Sequence, residues 1–408
     1  MGLNFNNTTK AFAYKSNRQL QKARLLFKIM QIGPVVSLGT KITPWAIKMG
    51  LPIKGIIRKT LFEQFVGGES LEKTEKVTNL LAQYGVKVIL DYGVEGGEPN
   101  QEKLEKETNK FIEVIQFASK SKNIPYISIK ITGLAPTSLL EKLNCTIGLP
   151  KQSVSEENIE KKIEALTPME REDWEKLVER INLICEEAEK KGIGVMIDAE
   201  ESWIQDPIDH LAYEMMKKFN QTKAVVFNTI QLYRTDRLEH LRQHLHTLEK
   251  DKYISGLKLV RGAYMEKERS RAEKNGYPSP IQPDKNTTDH DYDEAVKLCL
   301  QNKHKVATII ASHNEKSTLL AASMHIGDHP VKDNDSLHFS QLYGMSDNLT
   351  FNLSDAGYSV SKYLPFGPIQ EVIPYLMRRA QENSSVSGQT GRELELINTE
   401  WRRRKGKS

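Results

Sequence analysis

Residues 169–198 read MEREDWEKLVERINLICEEAEKKGIGVMID, a long amphipathic segment followed at once by a short apolar one. In the first part Trp174, Leu177, Ile181, Ile184 and Ala188 recur at three- and four-residue steps and fall on one helical face. In the second, Gly194–Asp198 stays apolar up to its terminal acid. A strand buried on both faces reads this way, and burial on both faces belongs to parallel sheets covered by helices. The helical pattern resumes over 206–218, where Asp206-Pro207 predicts an N-cap with proline at the first helical position. Helix, strand and helix in direct succession form the unit of an α/β fold.

The same alternation extends outward on both sides, from about residue 76 onward. Candidate strands are Val86–Tyr92, Ile127–Ile131, Gly194–Asp198, Ala224–Ile230, Gly256–Val260, Val306–Ala311, Leu337–Leu342 and Val360–Leu364. Helical patterns cover 101–121, 314–326 and 369–383 as well. Eight such units predict a closed (βα)8 TIM-type barrel, with an open doubly wound sheet as the structural rival. The expected organisation is an N-terminal helical arm over 1–75, punctuated by Pro34, Pro44 and Pro52. The barrel follows over 76–390, then a C-terminal helix and basic tail over 391–408. No fixed-period repeat and no low-complexity linker interrupts it.

With 38% hydrophobic and 27% charged residues, the 408-residue chain has the composition of a globular protein, which excludes wholesale disorder. Cys145, Cys185 and Cys299 are too far apart for a disulfide framework, so a reducing compartment is expected. The net charge of +5 is unevenly spread: no acid precedes Glu63, while lysines and arginines recur from Lys10 to Lys59, and the tail carries Arg402, Arg403, Arg404, Lys405 and Lys407. Such a start reads as a transit peptide, as a positive face resting on anionic lipid, or, most commonly, as a solvated helix. No apolar run approaches the roughly 20 residues of a membrane span; Ile29–Met49 is broken by Pro34, Lys41 and Pro44. A cytoplasmic protein, peripheral at the inner face of the membrane, is the expectation, with the mitochondrial inner membrane as the alternative.

Several chemistries lack their motifs. No GxSxG, no Walker loop and no GxGxxG after a strand occurs, and Gly93, Gly96 and Gly97 form only a turn-rich loop. His240, His244 and His246 fall in a polar helix and read as surface, so no metal site is expected. No nucleic-acid module is present. Polar residues instead gather where the strands end: Asp91 and Glu95, Lys130, Asp198-Ala-Glu-Glu201, Asn228-Thr-Ile-Gln231, Lys258 and Arg261 before Gly262-Ala-Tyr264, Ser312-His-Asn314, then Tyr363 and Arg378-Arg379. In a barrel this is the side that carries chemistry. Each has a duller reading: Glu200 and Glu201 as solvated loop or helix cap, His313 as a satisfied core histidine, the arginine pair as an exposed helix face. Lys130 stands between Ile129 and Ile131, where a lysine is costly unless paired.

Six stretches resemble the proline dehydrogenase family in the same order. They are Ile197-Asp-Ala-Glu-Glu201, Leu257-Lys-Leu-Val-Arg-Gly-Ala-Tyr264, Ala311-Ser-His-Asn314, Gln341-Leu-Tyr-Gly-Met345, Lys362-Tyr-Leu-Pro-Phe-Gly-Pro368 and Ile373-Pro-Tyr-Leu-Met-Arg-Arg-Ala-Gln-Glu-Asn383. The resemblance spans roughly residues 55–400 and is nearer the monofunctional eukaryotic type than the large bifunctional bacterial enzymes. It implies FAD-dependent oxidation of L-proline to Δ1-pyrroline-5-carboxylate by hydride transfer to flavin, with a membrane quinone as electron acceptor. A separate pyrroline-5-carboxylate dehydrogenase is then expected for the next oxidation.

The resemblance also implies roles. Arg378 and Arg379 match the arginines that hold the proline carboxylate, a task that suits the bidentate guanidinium. Lys130 matches a lysine of the same anion pocket, Glu95 the acid that pairs with the first arginine, and Tyr363 the tyrosine over the substrate ring. Asp198 matches the acid behind the flavin pocket. Gln231 and Lys258 match contacts to the isoalloxazine, Ala263 and Tyr264 residues near the ring and flavin, with Val260 and Gly262 beside them. His313 and Asn314 match the FAD linker site and Glu382 an acid near the adenosine. Lys258 departs from the arginine common in the family and so lacks its planar fork. The rivals are hydroxyproline dehydrogenase, whose specialised relatives have a small residue where Tyr363 stands, a flavin-free barrel lyase using Lys130 or Lys258 as a Schiff base, and a non-catalytic amino-acid sensor.

Overall fold

The structure, a computed structural model, describes residues 3–39, 49, 53–93, 99–145, 156–325, 336–385 and 389–406. Eight strands close a barrel in sequence order: β1 (Lys87–Tyr92), β2 (Tyr126–Ile129), β3 (Gly194–Ile197), β4 (Val226–Gln231), β5 (Ser255–Val260), β6 (Val306–Ala311), β7 (Leu337–Leu342) and β8 (Val360–Phe366). The eight apolar runs read from the sequence are these strands, and the fold is the (βα)8 barrel they imply. By contact the chain falls into two compact units, residues 94–339 and residues 1–93 with 340–408.

In the unit of residues 94–339, β2 to β6 pair in parallel, with Ile129 opposite Ile197, Ile197 opposite Asn228, Asn228 opposite Leu257 and Leu257 opposite Thr308. The continuous apolar runs are explained by burial: every residue of β3 and β4 is buried. Glycine at the start of β5 is a packing requirement, since a side chain on Gly256 would run into the Val226 carbonyl and the Phe227 ring. The helix Pro168–Lys191 begins at a capping box between Thr167 and Glu170, with Pro168 at its first position, and ends on left-handed Gly192. Its buried stripe is the one read from the sequence: Trp174, Leu177, Ile181, Ile184 and Ala188.

Two local expectations are corrected. The helix expected to be capped by Asp206 runs Gln205–Phe219 and follows Ile204, with no side-chain cap. Asp206 lies inside the first turn, where its carboxylate accepts the Cys145 N–H at 2.6 Å and its own N–H donates to Asn144 Oδ1 at 3.0 Å. A tertiary partner has taken the acid from its local one. Second, β2 ends at Ile129 rather than Ile131, and Lys130 leads into a 3-10 turn, Ile131–Gly133.

In the other unit β1 pairs with β8 in parallel, Ile89 opposite Tyr363. The helices Asn17–Met30, Glu63–Phe65, Ile369–Ser385 and Gln389–Arg404, with Phe12 just past the helix Thr8–Ala11, build a second apolar core from Phe12, Leu20, Phe27, Phe65, Val372, Leu376, Leu394 and Ile397. A buried ion pair supports it: Lys362 Nζ lies 2.9 Å from Asp347 Oδ1, while Tyr14 donates to Asp347 Oδ2 at 2.8 Å. Glu393 accepts the Ser346 N–H beside them.

Candidate functional site

In the unit of residues 94–339, one group of buried charges gathers at the carboxyl ends of β2 and β3 and within β5. Lys130, Asp198 and Lys258 are all buried. Lys258 donates to Asp198 Oδ1, and Lys130 Nζ lies 3.9 Å from Asp198 Oδ2. One carboxylate thus faces two ammonium groups, and lysines at strand ends are donors that suit a carboxylate or phosphate ligand.

Next to it stands Glu200, expected to be solvated but in fact 3% exposed. Its carboxylate accepts the Thr132 N–H at 3.0 Å and the Thr132 hydroxyl. Its backbone C=O accepts Gln231 Nε2 at 2.7 Å, and its N–H donates to Gln205 Oε1 at 2.8 Å. Burial pushes the carboxyl up to about 7, against the Thr132 hydrogen bonds and the nearby Lys130 charge, with Glu201 adding to the rise. Gln231 also donates to Tyr233 at 2.8 Å and accepts from Arg234 at 3.3 Å, so its amide orientation is set on both sides. Glu201 pairs with Lys267 on the helix Met265–Asn275. The run past β3 stays buried through Asp198, Ala199 and Glu200, and no residue pattern in the sequence marks that burial.

Beyond β5 the chain turns through two left-handed residues, Gly262 (φ 82) and Tyr264 (φ 55). Nothing lies within 4 Å of where a Gly262 side chain would stand, while Val260, Ala263 and Tyr264 are each half-buried. Arg261 pairs with Asp289 and lies over the Tyr292 ring, 3.6 Å from its centroid. Its Nε and Nη2 are buried without a hydrogen-bond partner among the described residues. A buried guanidinium edge left unmatched is a donor pair for an anionic oxygen. The half-buried His313 and Asn314 follow β6. Asn314 Oδ1 accepts the N–H groups of Lys316 and Ser317, at 2.9 and 3.1 Å, at the start of the helix Glu315–His325.

In the other unit Tyr363 lies in β8, half-buried, and its carbonyl accepts the Tyr343 N–H at 2.9 Å. Arg378 and Arg379 stand side by side on the helix Ile369–Ser385. They are half-buried rather than on an exposed face, and the Arg379 guanidinium lies 5.2 Å from the Tyr375 ring centroid. Glu382 is on the same helix. Glu95 lies outside the described residues.

The histidine helix, Arg237–Leu248, is not the surface feature expected. His240 meets the Tyr213 hydroxyl at 2.7 Å and His244 meets Ser255 Oγ at 2.7 Å, both under cover; only His246 is exposed. Burial and the Arg237 charge push His240 down to about 3, so it is neutral near pH 7. Arg237 in turn pairs with buried Asp209 at 2.6 Å. This network braces two helices against the barrel.

Eight parallel strands closed in sequence order, with charged side chains gathered at their ends, define a (βα)8 barrel protein. The sequence model of the family described as "Proline dehydrogenase" matches residues 74–392. The chain is 31% identical to proline dehydrogenase 1, mitochondrial, of Arabidopsis thaliana, over 99% of this chain and 87% of the relative. It is 30% identical to hydroxyproline dehydrogenase of Xenopus laevis, over 96% and 88%. Its fold is similar to that of proline utilization A from Bdellovibrio bacteriovorus, with a TM-score of 0.69 and 20% identity. That match covers 95% of this chain but 40% of the solved one, so the chain spans about two fifths of its length. The chain belongs to the proline dehydrogenase family, a family of oxidoreductases.

Proposed function

We propose that the protein is an FAD-dependent L-proline dehydrogenase that forms Δ1-pyrroline-5-carboxylate and yields its electrons to a membrane quinone. The observation that carries this reading is the Lys130–Asp198–Lys258 group at the ends of β2, β3 and β5, in a chain of this family. When bound, FAD supplies the hydride acceptor. The orphaned Arg261 edge fits its phosphates, and Lys258 and Gln231 are the donors assigned to its ring. Val260, Gly262, Ala263 and Tyr264 line its approach, with His313, Asn314 and Glu382 assigned to its linker and adenosine ends. Asp198 holds the two lysines in place.

Arg378 and Arg379 are assigned to the substrate carboxylate, Lys130 to the anion-binding charge of its own unit, Tyr363 to the ring and Glu95 to the first arginine. Fixing the substrate in one orientation supplies on the order of 7–11 kcal/mol of the barrier at best. The ring nitrogen must shed a proton before its neighbouring carbon yields hydride, and solvent takes that proton. The bulk of Tyr363 favours proline over a hydroxylated ring. The product then passes to a separate pyrroline-5-carboxylate dehydrogenase.

The arm supports membrane contact. Arg18, Lys22, Leu25 and Ile29 form one stripe of the helix Asn17–Met30, opposite the buried Leu20, Ala23, Phe27 and Met30. Leu25 is 61% exposed and Ile29 42%, and Ile32, Val35 and Leu38 continue the apolar exposure. A basic, apolar, uncovered face suits anionic lipid at the inner face of a bacterial membrane or the mitochondrial inner membrane. Among the described residues no helix is long and apolar enough to cross a membrane.

An anaerobic absorbance scan of the protein loaded with FAD, before and after adding L-proline, tests the reading. Bleaching of the flavin bands is expected. Faster bleaching by trans-4-hydroxyproline would move the substrate, and failure to take up FAD would overturn the reading.

A further inference from the structure

The helix Met265–Asn275 starts from a backbone conformation that its preceding residue does not favour. Tyr264 stands there at φ 55 and ψ 2, left-handed without being glycine, and among the described residues no side chain caps the helix. A bulky residue keeps such a conformation only where its surroundings impose it. Glu268, in the first turn and 1% exposed, holds it from two sides. Its N–H donates to the Tyr264 carbonyl at 2.9 Å. Its carboxyl reaches a segment 66 residues away, where Oε1 accepts the Ser202 N–H at 2.6 Å and Oε2 accepts the Ser202 hydroxyl at 2.7 Å.

We propose that Glu268 is a positioning residue: through Ser202 it fastens the turn 262–264, which the functional reading above assigns to the flavin, to the segment that carries Asp198. The inference rests on that reading. Ser202 is a firm anchor, because the chain on both sides of it is fixed. Asp198, Ala199 and Glu200 are buried, Glu200 is held by Thr132, Gln205 and Gln231, and the Ile204 N–H donates to the Glu201 carbonyl at 3.0 Å.

Two neighbours of Glu268 join the same segments less tightly. Arg271 lies over the Trp203 ring, 4.2 Å from its centroid, and Lys267 pairs with Glu201. The Lys267 side chain is 62% exposed, and an exposed ion pair contributes little. The Glu268 contact differs in kind, since removing the carboxyl takes the acceptor from a partly buried N–H and the partner from a hydroxyl at once. A misplacement of about 1 Å in groups that align the reacting partners costs up to about 100-fold in rate. The substrate carboxylate is assigned to other residues, Arg378 and Arg379. The signature of the role is therefore a fall in kcat with little change in KM for proline.

The test compares the FAD-loaded wild type with Glu268→Ala, Glu268→Gln, Ser202→Ala and Lys267→Ala. Rates are expressed per bound flavin, and the visible circular dichroism of the flavin is recorded. Glu268→Ala should lower kcat about 10- to 100-fold at little-changed KM and alter the dichroism. Glu268→Gln should restore both, because its amide accepts the Ser202 N–H through oxygen and donates to the Ser202 hydroxyl through nitrogen. Ser202→Ala keeps the N–H contact and should lose less of kcat. Lys267→Ala should match the wild type. In protein whose flavin proline bleaches, unchanged kcat and dichroism in Glu268→Ala, or in Ser202→Ala where Glu268→Ala does not fold, would overturn the inference and leave the function standing, whatever the melting temperature. A loss in Glu268→Gln or Lys267→Ala as large as that in Glu268→Ala would overturn it too. A wild type that takes up no FAD, or whose flavin proline does not bleach, would sink the functional reading and the inference together.

Discussion

Replacing Asp198 by asparagine asks how the barrel carries its buried cations. The substitution keeps shape and one acceptor oxygen but removes a negative charge that Lys130 and Lys258 share. Both buried ammonium groups then lose this carboxylate, a change that costs about 3–5 kcal/mol when one partner of a buried pair is lost. At about 2.1 cal/mol/K per residue, the unfolding entropy of 408 residues is roughly 0.9 kcal/mol/K, so the melting temperature should fall by roughly 3–6 °C. A second substitution discriminates this cause from a packing defect. Lys258→Met removes the ammonium that donates to Asp198, so in that background losing the carboxylate should cost less. Differential scanning calorimetry at pH 7 of the wild type, both single variants and the double variant should therefore show a smaller deficit for Asp198→Asn beside Lys258→Met. A deficit that is absent, or equally large in both backgrounds, would refute the claim that Asp198 compensates the lysines. Added FAD should narrow the gap at pH 7 if its ring oxygens share the same charge.

Arg261→Ala removes the donor edge that has no protein partner, and FAD affinity measured by flavin fluorescence should weaken about 10- to 100-fold; unchanged affinity would assign that edge elsewhere. Leu25→Glu with Ile29→Glu should abolish sedimentation with anionic vesicles while flavin bleaching by proline stays intact; persistent sedimentation would place the lipid contact on another surface. Glu393 titrates near 7 because burial raises it, with Asp347 adding to the rise. Its folded value is above the unfolded one, so it takes up protons on folding, and stability falls as pH rises from about 4.5 to about 7, by up to roughly 3 kcal/mol. Thermal scans from pH 5 to pH 8 should show Glu393→Gln gaining on the wild type as pH rises; parallel curves would count against a buried, titrating Glu393.

The barrel was legible because its strands are buried on both faces, which leaves an unbroken apolar signature that loops do not imitate. Val306–Ala311 and Leu337–Leu342 were bounded to the residue. Other boundaries shifted where a tertiary contact outbid a local one. Asp206 has the sequence of an N-cap but serves Cys145, and β2 stops short because Glu200 claims the Thr132 N–H. Composition told nothing about the histidine helix. Whether His240 faces water depends on Asp209 and Arg237, one far along the chain and one three residues before it, and a charge pattern cannot report their pairing.

The candidate site shows the same limit more sharply. Lys130, Asp198 and Lys258 could each be suspected at a strand end, because a charge there is costly without a partner. That they share one carboxylate could not be read, since residues 130, 198 and 258 come together only when β2, β3 and β5 lie side by side or one strand apart. Glu200 was misread for a related reason. In sequence it adjoins Glu201, which is partly exposed and paired with Lys267, and two neighbouring acids after a strand look alike. Past the end of β3 they part company: Glu201 meets the exposed Lys267, while Glu200 meets the interior Thr132 hydroxyl and N–H.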